Sequence, residues 1–73
     1  MKAKEMFEKL GYKEQKFSND VISYVFREGI TREYITFYLE EKTFDKENNF
    51  GGTVITLNEL KAINKQIEEL GWK

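Results

Sequence analysis

The 73-residue sequence predicts an α+β fold: a three- to four-stranded antiparallel β-meander flanked by N- and C-terminal α-helices packed on one face of the sheet. Three observations lead there. Near both termini apolar residues recur at spacings of three and four, the period of an amphipathic helix. Both segments stop at the same punctuation, Leu10-Gly11-Tyr12-Lys13 and Leu70-Gly71-Trp72-Lys73. Between them lie short runs of Val, Ile, Phe and Tyr that alternate with polar residues, as strands do.

The first helix spans residues 2–10, with Ala3, Met6, Phe7 and Leu10 as its stripe and Lys4–Glu8 and Glu5–Lys9 paired on the solvated side. Gly11 can take the left-handed conformation that closes a helix, so Tyr12 folds back onto Phe7. The same logic at Gly71 brings Trp72 to Ile67. Residues 12–17 form a weak edge strand in which Lys13, Glu14 and Lys16 discourage further pairing. Ser18-Asn19-Asp20 is a turn, because these side chains satisfy nearby backbone groups. Residues 21–27 make a strong strand, broken at Glu28-Gly29.

Residues 32–40 resume the sheet with clean alternation: Ile35, Phe37 and Leu39 face the core, and Tyr34, Thr36 and Tyr38 face away. A fourth strand forms either around residues 43–46, carrying Phe44, or at 53–55. Residues 45–52 read as a polar, flexible loop ending in Gly51-Gly52. Thr56-Leu57-Asn58-Glu59 is a capping box that starts the second helix, whose stripe is Leu60, Ile63, Ile67 and Leu70. The element order is α-β-β-β-(β)-α in a single domain, residues 1–73.

A chain this short buries about 60% of its unfolded surface, so large rings must supply most of the core. Aromatic residues make up 15% of the chain, and Phe7, Phe17, Phe26, Phe37, Phe44 and Trp72 are the expected contributors. The sequence has no Cys and no His, which removes disulfides, thiolate metal sites, the commonest general base and the commonest metal ligand. Neither an enzyme nor a cofactor is expected. The net charge of −1, from 12 basic and 13 acidic residues interspersed along the chain, creates no field that would gather a polyanion. Residues 1–5 lack the apolar segment of a signal peptide and no run approaches spanning length, so a cytoplasmic location without membrane insertion is expected.

Motifs that suggest chemistry fail on inspection. Asp45, Glu47 and Asn49 stand at positions one, three and five of a calcium-loop count, but Phe50 occupies the glycine position and Thr56 the bidentate glutamate position. Gly51-Gly52 is followed by neither the Lys-Ser/Thr of a phosphate loop nor the third glycine of a dinucleotide turn. The adjacent pairs Glu40-Glu41 and Glu68-Glu69 point in different directions, and Lys65 can satisfy the second pair at helical spacing.

The candidate interaction face is the side of the sheet turned away from the core, where Arg32, Tyr34, Thr36 and Tyr38 project together, joined by Arg27, Ser23 and Val25 from the neighbouring strand. Tyrosine and arginine are favoured at protein interfaces. The expected function is a non-catalytic protein–protein interaction module, with a protein partner or a homodimer. The alternative is a single-stranded nucleic-acid-binding module using the same aromatic and basic face. Against it stand the negative net charge and the lack of an arginine-glycine-aromatic signature.

Residues 4–12, the segment Ile35-Thr36-Phe37 leading to Lys42-Thr43-Phe44, and the closing run 55–72 together resemble small uncharacterised proteins encoded by phages and prophages of Gram-positive bacteria. The likeness is most specific in the last 18 residues and weaker across 13–31. That group carries no assigned function and no known site residues. The resemblance implies a phage or mobile-element origin, a location in the cytoplasm of the bacterial host cell, and a small accessory protein that acts by binding another protein.

Overall fold

The computed structural model describes residues 1–72, arranged as α1 (Ala3–Lys9), β1 (Tyr12–Gln15), β2 (Val21–Glu28), β3 (Thr31–Tyr38), β4 (Thr43–Asn48) and α2 (Leu57–Leu70). Short links between consecutive strands leave them adjacent, and the sheet order is β1-β2-β3-β4, antiparallel throughout. The fourth strand is therefore Thr43–Asn48, and residues 53–55 lie outside the sheet.

Both helices lie against one face, as expected. The Phe7 ring of α1 stacks on Tyr24 of β2 at 4.0 Å, and Tyr12 meets Phe7 edge-on at 5.9 Å. Ile35 and Phe37 of β3 complete the core with Ala62 and Ile63 of α2. The helices run antiparallel: the Ala3 N–H at the start of α1 donates to Glu69 Oε2 in the last turn of α2 at 2.7 Å. That bond satisfies one of the donors a helix N-terminus leaves open.

The two matching ends close differently. At Gly71 (φ +73°) the glycine N–H reaches the Glu68 carbonyl and the Trp72 N–H reaches that of Ile67, each at 3.1 Å, which is the full Schellman pair. At Gly11 (φ +94°) the Phe7 carbonyl takes the Leu10 N–H at 3.0 Å and that of Glu8 takes the glycine N–H at 3.0 Å. These are the tighter bonds of a 3₁₀ turn. A Cβ at Gly11 would stand 2.9 Å from Cε2 of Phe26, so this glycine is needed for space as well as for conformation.

The capping box at Thr56 is present, with Thr56 Oγ1 accepting from the Glu59 N–H and Glu59 Oε1 accepting from the Thr56 N–H, both at 3.1 Å. Several expectations need correction. The buried side of α2 is Glu59, Ala62, Ile63 and Gln66, and Leu60 is 42% exposed, because the helix is rotated to bury Glu59. Phe17 is 61% exposed, since β1 stops at Gln15 and the ring falls in the connection to β2. Phe44 packs on Phe37 at 5.8 Å yet stays partly open on the edge strand. β3 ends at Tyr38, so Leu39 lies past the alternating run, its N–H bonded to the Asp20 carbonyl.

The segment 45–52 is not the loose loop its composition suggests. Its first half is β4, and its second half is tied by two asparagines. Asn48 Oδ1 accepts the N–H groups of Phe50 and Gly51 at 2.9 and 2.8 Å, and its Nδ2 donates to the Gly52 carbonyl. Asn49 crosses to the β2–β3 turn, donating to the Ile30 carbonyl at 2.5 Å and accepting from the Arg32 N–H at 2.9 Å. Among the described residues no helix is long and apolar enough to cross a membrane.

Candidate interaction face

Strand alternation sends Tyr12, Tyr24, Ile35 and Phe37 toward the helices, so their neighbours in sequence project to the opposite side. The antiparallel register then decides which of them meet. Arg27 stands opposite Arg32, Val25 opposite Tyr34, Ser23 opposite Thr36 and Val21 opposite Tyr38. All five residues expected to form the face, Arg27, Arg32, Tyr34, Thr36 and Tyr38, are thus brought onto one surface.

The sheet also adds residues that the sequence reading did not include. β1 contributes Lys13 opposite Val25 and Gln15 opposite Ser23, and β4 contributes Glu47 opposite Tyr34 and Asp45 opposite Thr36. Their alternation is visible in the sequence, but their place beside Tyr34 and Thr36 depends on register, which short polar edge strands specify weakly. The face is accordingly mixed in charge, basic toward β1 and acidic toward β4.

Its side chains are ordered by one another. Ser23 Oγ and Thr36 Oγ1 lie 3.0 Å apart, and the Tyr38 hydroxyl donates to Asp45 Oδ2 at 3.1 Å. Burial first, and then this bond to Asp45, push the Tyr38 phenol above its ordinary pKa. Ser23 and Val25 are 1% and 3% exposed although neither helix covers this side, because the flanking columns close over them. Tyr34, Thr36 and Tyr38 remain half-buried. Arg32 bends back to its own turn, donating from one guanidinium nitrogen to the carbonyls of Gly29 at 3.0 Å and Thr31 at 3.2 Å. Arg27 stays exposed, facing a like charge across the strands, an arrangement that costs some stability.

A second cluster of charged groups lies on the helix side, and composition gave no hint of it. The Lys46 ammonium sits 2.8 Å from Glu59 Oε1, 3.2 Å from Glu33 Oε1 and 2.5 Å from the Val54 carbonyl. The Tyr12 hydroxyl donates to Glu59 Oε2 at 2.8 Å. Burial alone would raise the Glu59 carboxyl, but the bonds from Lys46, Thr56 and Tyr12 outweigh it and hold the group below the usual carboxylate range. Burial likewise opposes the Lys46 charge, and the two glutamates overcome it and raise that pKa. Tyr12 is pushed up strongly, by burial and then by Glu59. With its side chain 2% exposed, Lys46 is enclosed by its partners, and the cluster is an internal brace that meets water at Glu33, whose side chain is 26% exposed.

A groove of about 430 Å³ runs between α1 and β1, lined by Lys4, Glu8, Gly11, Tyr12, Lys13 and Glu14. Its charges oppose one another, Lys4 and Glu14 standing 3.9 Å apart, with both partly exposed to water. Such a pair contributes little and directs no ligand of one sign. The open sheet face, in contrast, presents Tyr34, Thr36 and Tyr38 together, held by bonds among its own side chains. No protein-family model, curated protein or solved structure matches the chain.

Proposed function

We propose that this chain is a non-catalytic protein-interaction module that binds through the open face of its sheet. The observation that supports the reading is the column Tyr34, Thr36 and Tyr38, half-buried on a side that neither helix covers and flanked by charges of both signs. Rings held at such a surface offer large contact area at small entropic cost, and the surrounding polar groups suit an interface rim. Asp45 and Glu47 share the face, which argues against a nucleic-acid strand as its occupant, since phosphates would meet carboxylates. The likeness to phage-encoded accessory proteins favours a protein partner in a bacterial host cell by analogy alone.

The test replaces Tyr34 with the photo-reactive p-benzoylphenylalanine and, in a second protein, Lys61 on the exposed side of α2. Irradiation in the source cells should cross-link protein to the Tyr34 position and not to the Lys61 position. Equal labelling at both, or none at Tyr34, overturns the reading. A fluorescence titration with mixed oligonucleotides at low salt addresses the alternative: quenching of the tyrosines there would favour nucleic acid instead.

A further inference from the structure

We infer that the occupant of this face is a second copy of the same chain, related by a two-fold axis running along the strands between β2 and β3. The inference rests on the reading of the open face as a binding surface and names its partner. The register supplies the argument. Across the sheet one row reads Lys13, Val25, Tyr34, Glu47, from β1 to β4. The next row reads Gln15, Ser23, Thr36, Asp45.

Each row is complementary to its own reverse. A two-fold axis in the interface plane and parallel to the strands lays β1 over β4 and β2 over β3 of the second copy. Lys13 then faces Glu47 of the second copy, a contact that occurs twice, while Val25 lies beneath its own flanking columns and leaves the half-buried Tyr34 rings to carry the middle of the row. In the next row Gln15 faces Asp45, a donor against an acceptor at each edge, while Ser23 stays buried against Thr36 of its own chain. Aligned sheets stacked about 10 Å apart have room for such interdigitation. The two arginines lie past the last shared row, at the hairpin end. Arg32 is already engaged by the carbonyls of Gly29 and Thr31, and Arg27 is exposed, so their mutual repulsion falls on a rim where water screens it.

Size sets the expected strength. Strands of four, eight, eight and six residues, at about 3.3 Å per residue and about 4.8 Å between strands, give a face of about 400 Å² per copy. The pair would bury roughly 800 Å² in all, below the size of a stable specific interface and in the range of weak, transient contacts. The dimer is therefore weak and reversible, with a dissociation constant between about 1 μM and 1 mM.

Sedimentation equilibrium of the whole chain tests this. Wild type should dimerise in that range, while Lys13→Glu or Glu47→Lys alone weakens it at least about tenfold by setting like charges against each other. The double variant Lys13→Glu, Glu47→Lys should return to within about threefold of wild type, because both cross-copy contacts regain opposite signs. Within one copy the two positions are three strand spacings apart, about 14 Å, so an internal contact does not explain such a rescue. Both side chains are exposed, and circular dichroism of each variant checks the fold; Lys13→Gln and Glu47→Gln provide milder versions with about threefold effects. A wild-type chain that is monomeric at about 1 mM overturns the inference, as does a double variant as weak as the singles. If the Tyr34 probe then cross-links only to other proteins, the second copy is ruled out and the binding face stands. If it cross-links to nothing, both fall.

Discussion

The Lys46 ammonium and a Glu59 carboxylate oxygen meet at 2.8 Å in the interior, with 2% and 10% of their side chains exposed. That one carboxylate also accepts the Thr56 N–H of the capping box and the Tyr12 hydroxyl. It therefore joins the start of α2 to both outer strands of the sheet. A buried pair adds little over an apolar pair of the same shape, but removing one partner strands the other. Lys46→Met leaves Glu59 and Glu33 without their cation and should cost about 3–5 kcal/mol in urea unfolding. Lys46→Met with Glu59→Gln should cost at least about 1 kcal/mol less than the sum of the single changes. Simple additivity would show that the two groups do not act as a pair.

The same pair shapes the pH profile. Glu59 has a folded pKa below its ordinary 4.5, so its stabilisation is complete above that value and is lost as pH falls through the lower folded pKa. Lys46 and Tyr12 have folded pKa values above their ordinary 10.5 and 10.0, so their share is complete below those values and is lost as pH rises beyond them. Thermal melts should show a plateau from about pH 5 to pH 9, an acid limb that Glu59→Gln flattens, and an alkaline limb that Tyr12→Phe reduces.

Gly11 and Gly51 share nearly the same backbone angle, φ +94° and +97°, but not the same surroundings. Alanine at either position carries the penalty of left-handed geometry, about 1–2 kcal/mol. At Gly51 the new methyl enters open space; at Gly11 it presses on the Phe26 ring, itself packed on Tyr12 at 5.7 Å. Gly11→Ala should therefore destabilise more than Gly51→Ala by about 1 kcal/mol or more in denaturant titrations. Equal costs would mean that Phe26 moves aside freely.

Trp72 follows the helix cap and leans on the core, its ring 6.3 Å from that of Phe37. Trp72→Ala should lower stability by about 2 kcal/mol and speed amide exchange in the last turn of α2, where the Trp72 N–H bonds the Ile67 carbonyl. As the sole tryptophan it also reports on the core, and Phe37→Leu should shift its emission. Unchanged emission in that variant would place the indole away from Phe37.

Asn49 is the strut between β4 and the β2–β3 turn. Asn49→Ala removes its bonds to the Ile30 carbonyl and the Arg32 N–H and should cost about 1–2 kcal/mol, with faster exchange at the Arg32 amide. Unaltered exchange at Arg32 would sink this account.

Local periodicity made much of the fold legible. The stripe of Ala3, Phe7 and Leu10, the alternation through Ile35 and Phe37, the Thr56–Glu59 box and the Gly71 stop each involve residues within a few positions of one another. Their physics is complete inside a short window. Phe17 misled for the opposite reason: an aromatic ring favours burial everywhere, and only the end of β1 at Gln15 leaves this one in water.

The sequence by itself determined two capped helices around an antiparallel meander, and it placed Arg27, Arg32, Tyr34, Thr36 and Tyr38 on a common side of the strands. Only the tertiary structure decided that Glu59, not Leu60, turns inward, that Lys46 lies buried against it, and that Lys13 and Glu47 bound the open face at opposite edges. These outcomes depend on groups 13 to 47 residues apart in the chain, brought together by strand register and helix rotation. A charge has no periodic signature of burial. It turns inward only where a partner from a distant segment replaces the water it loses, and that partner exists only once the chain has folded.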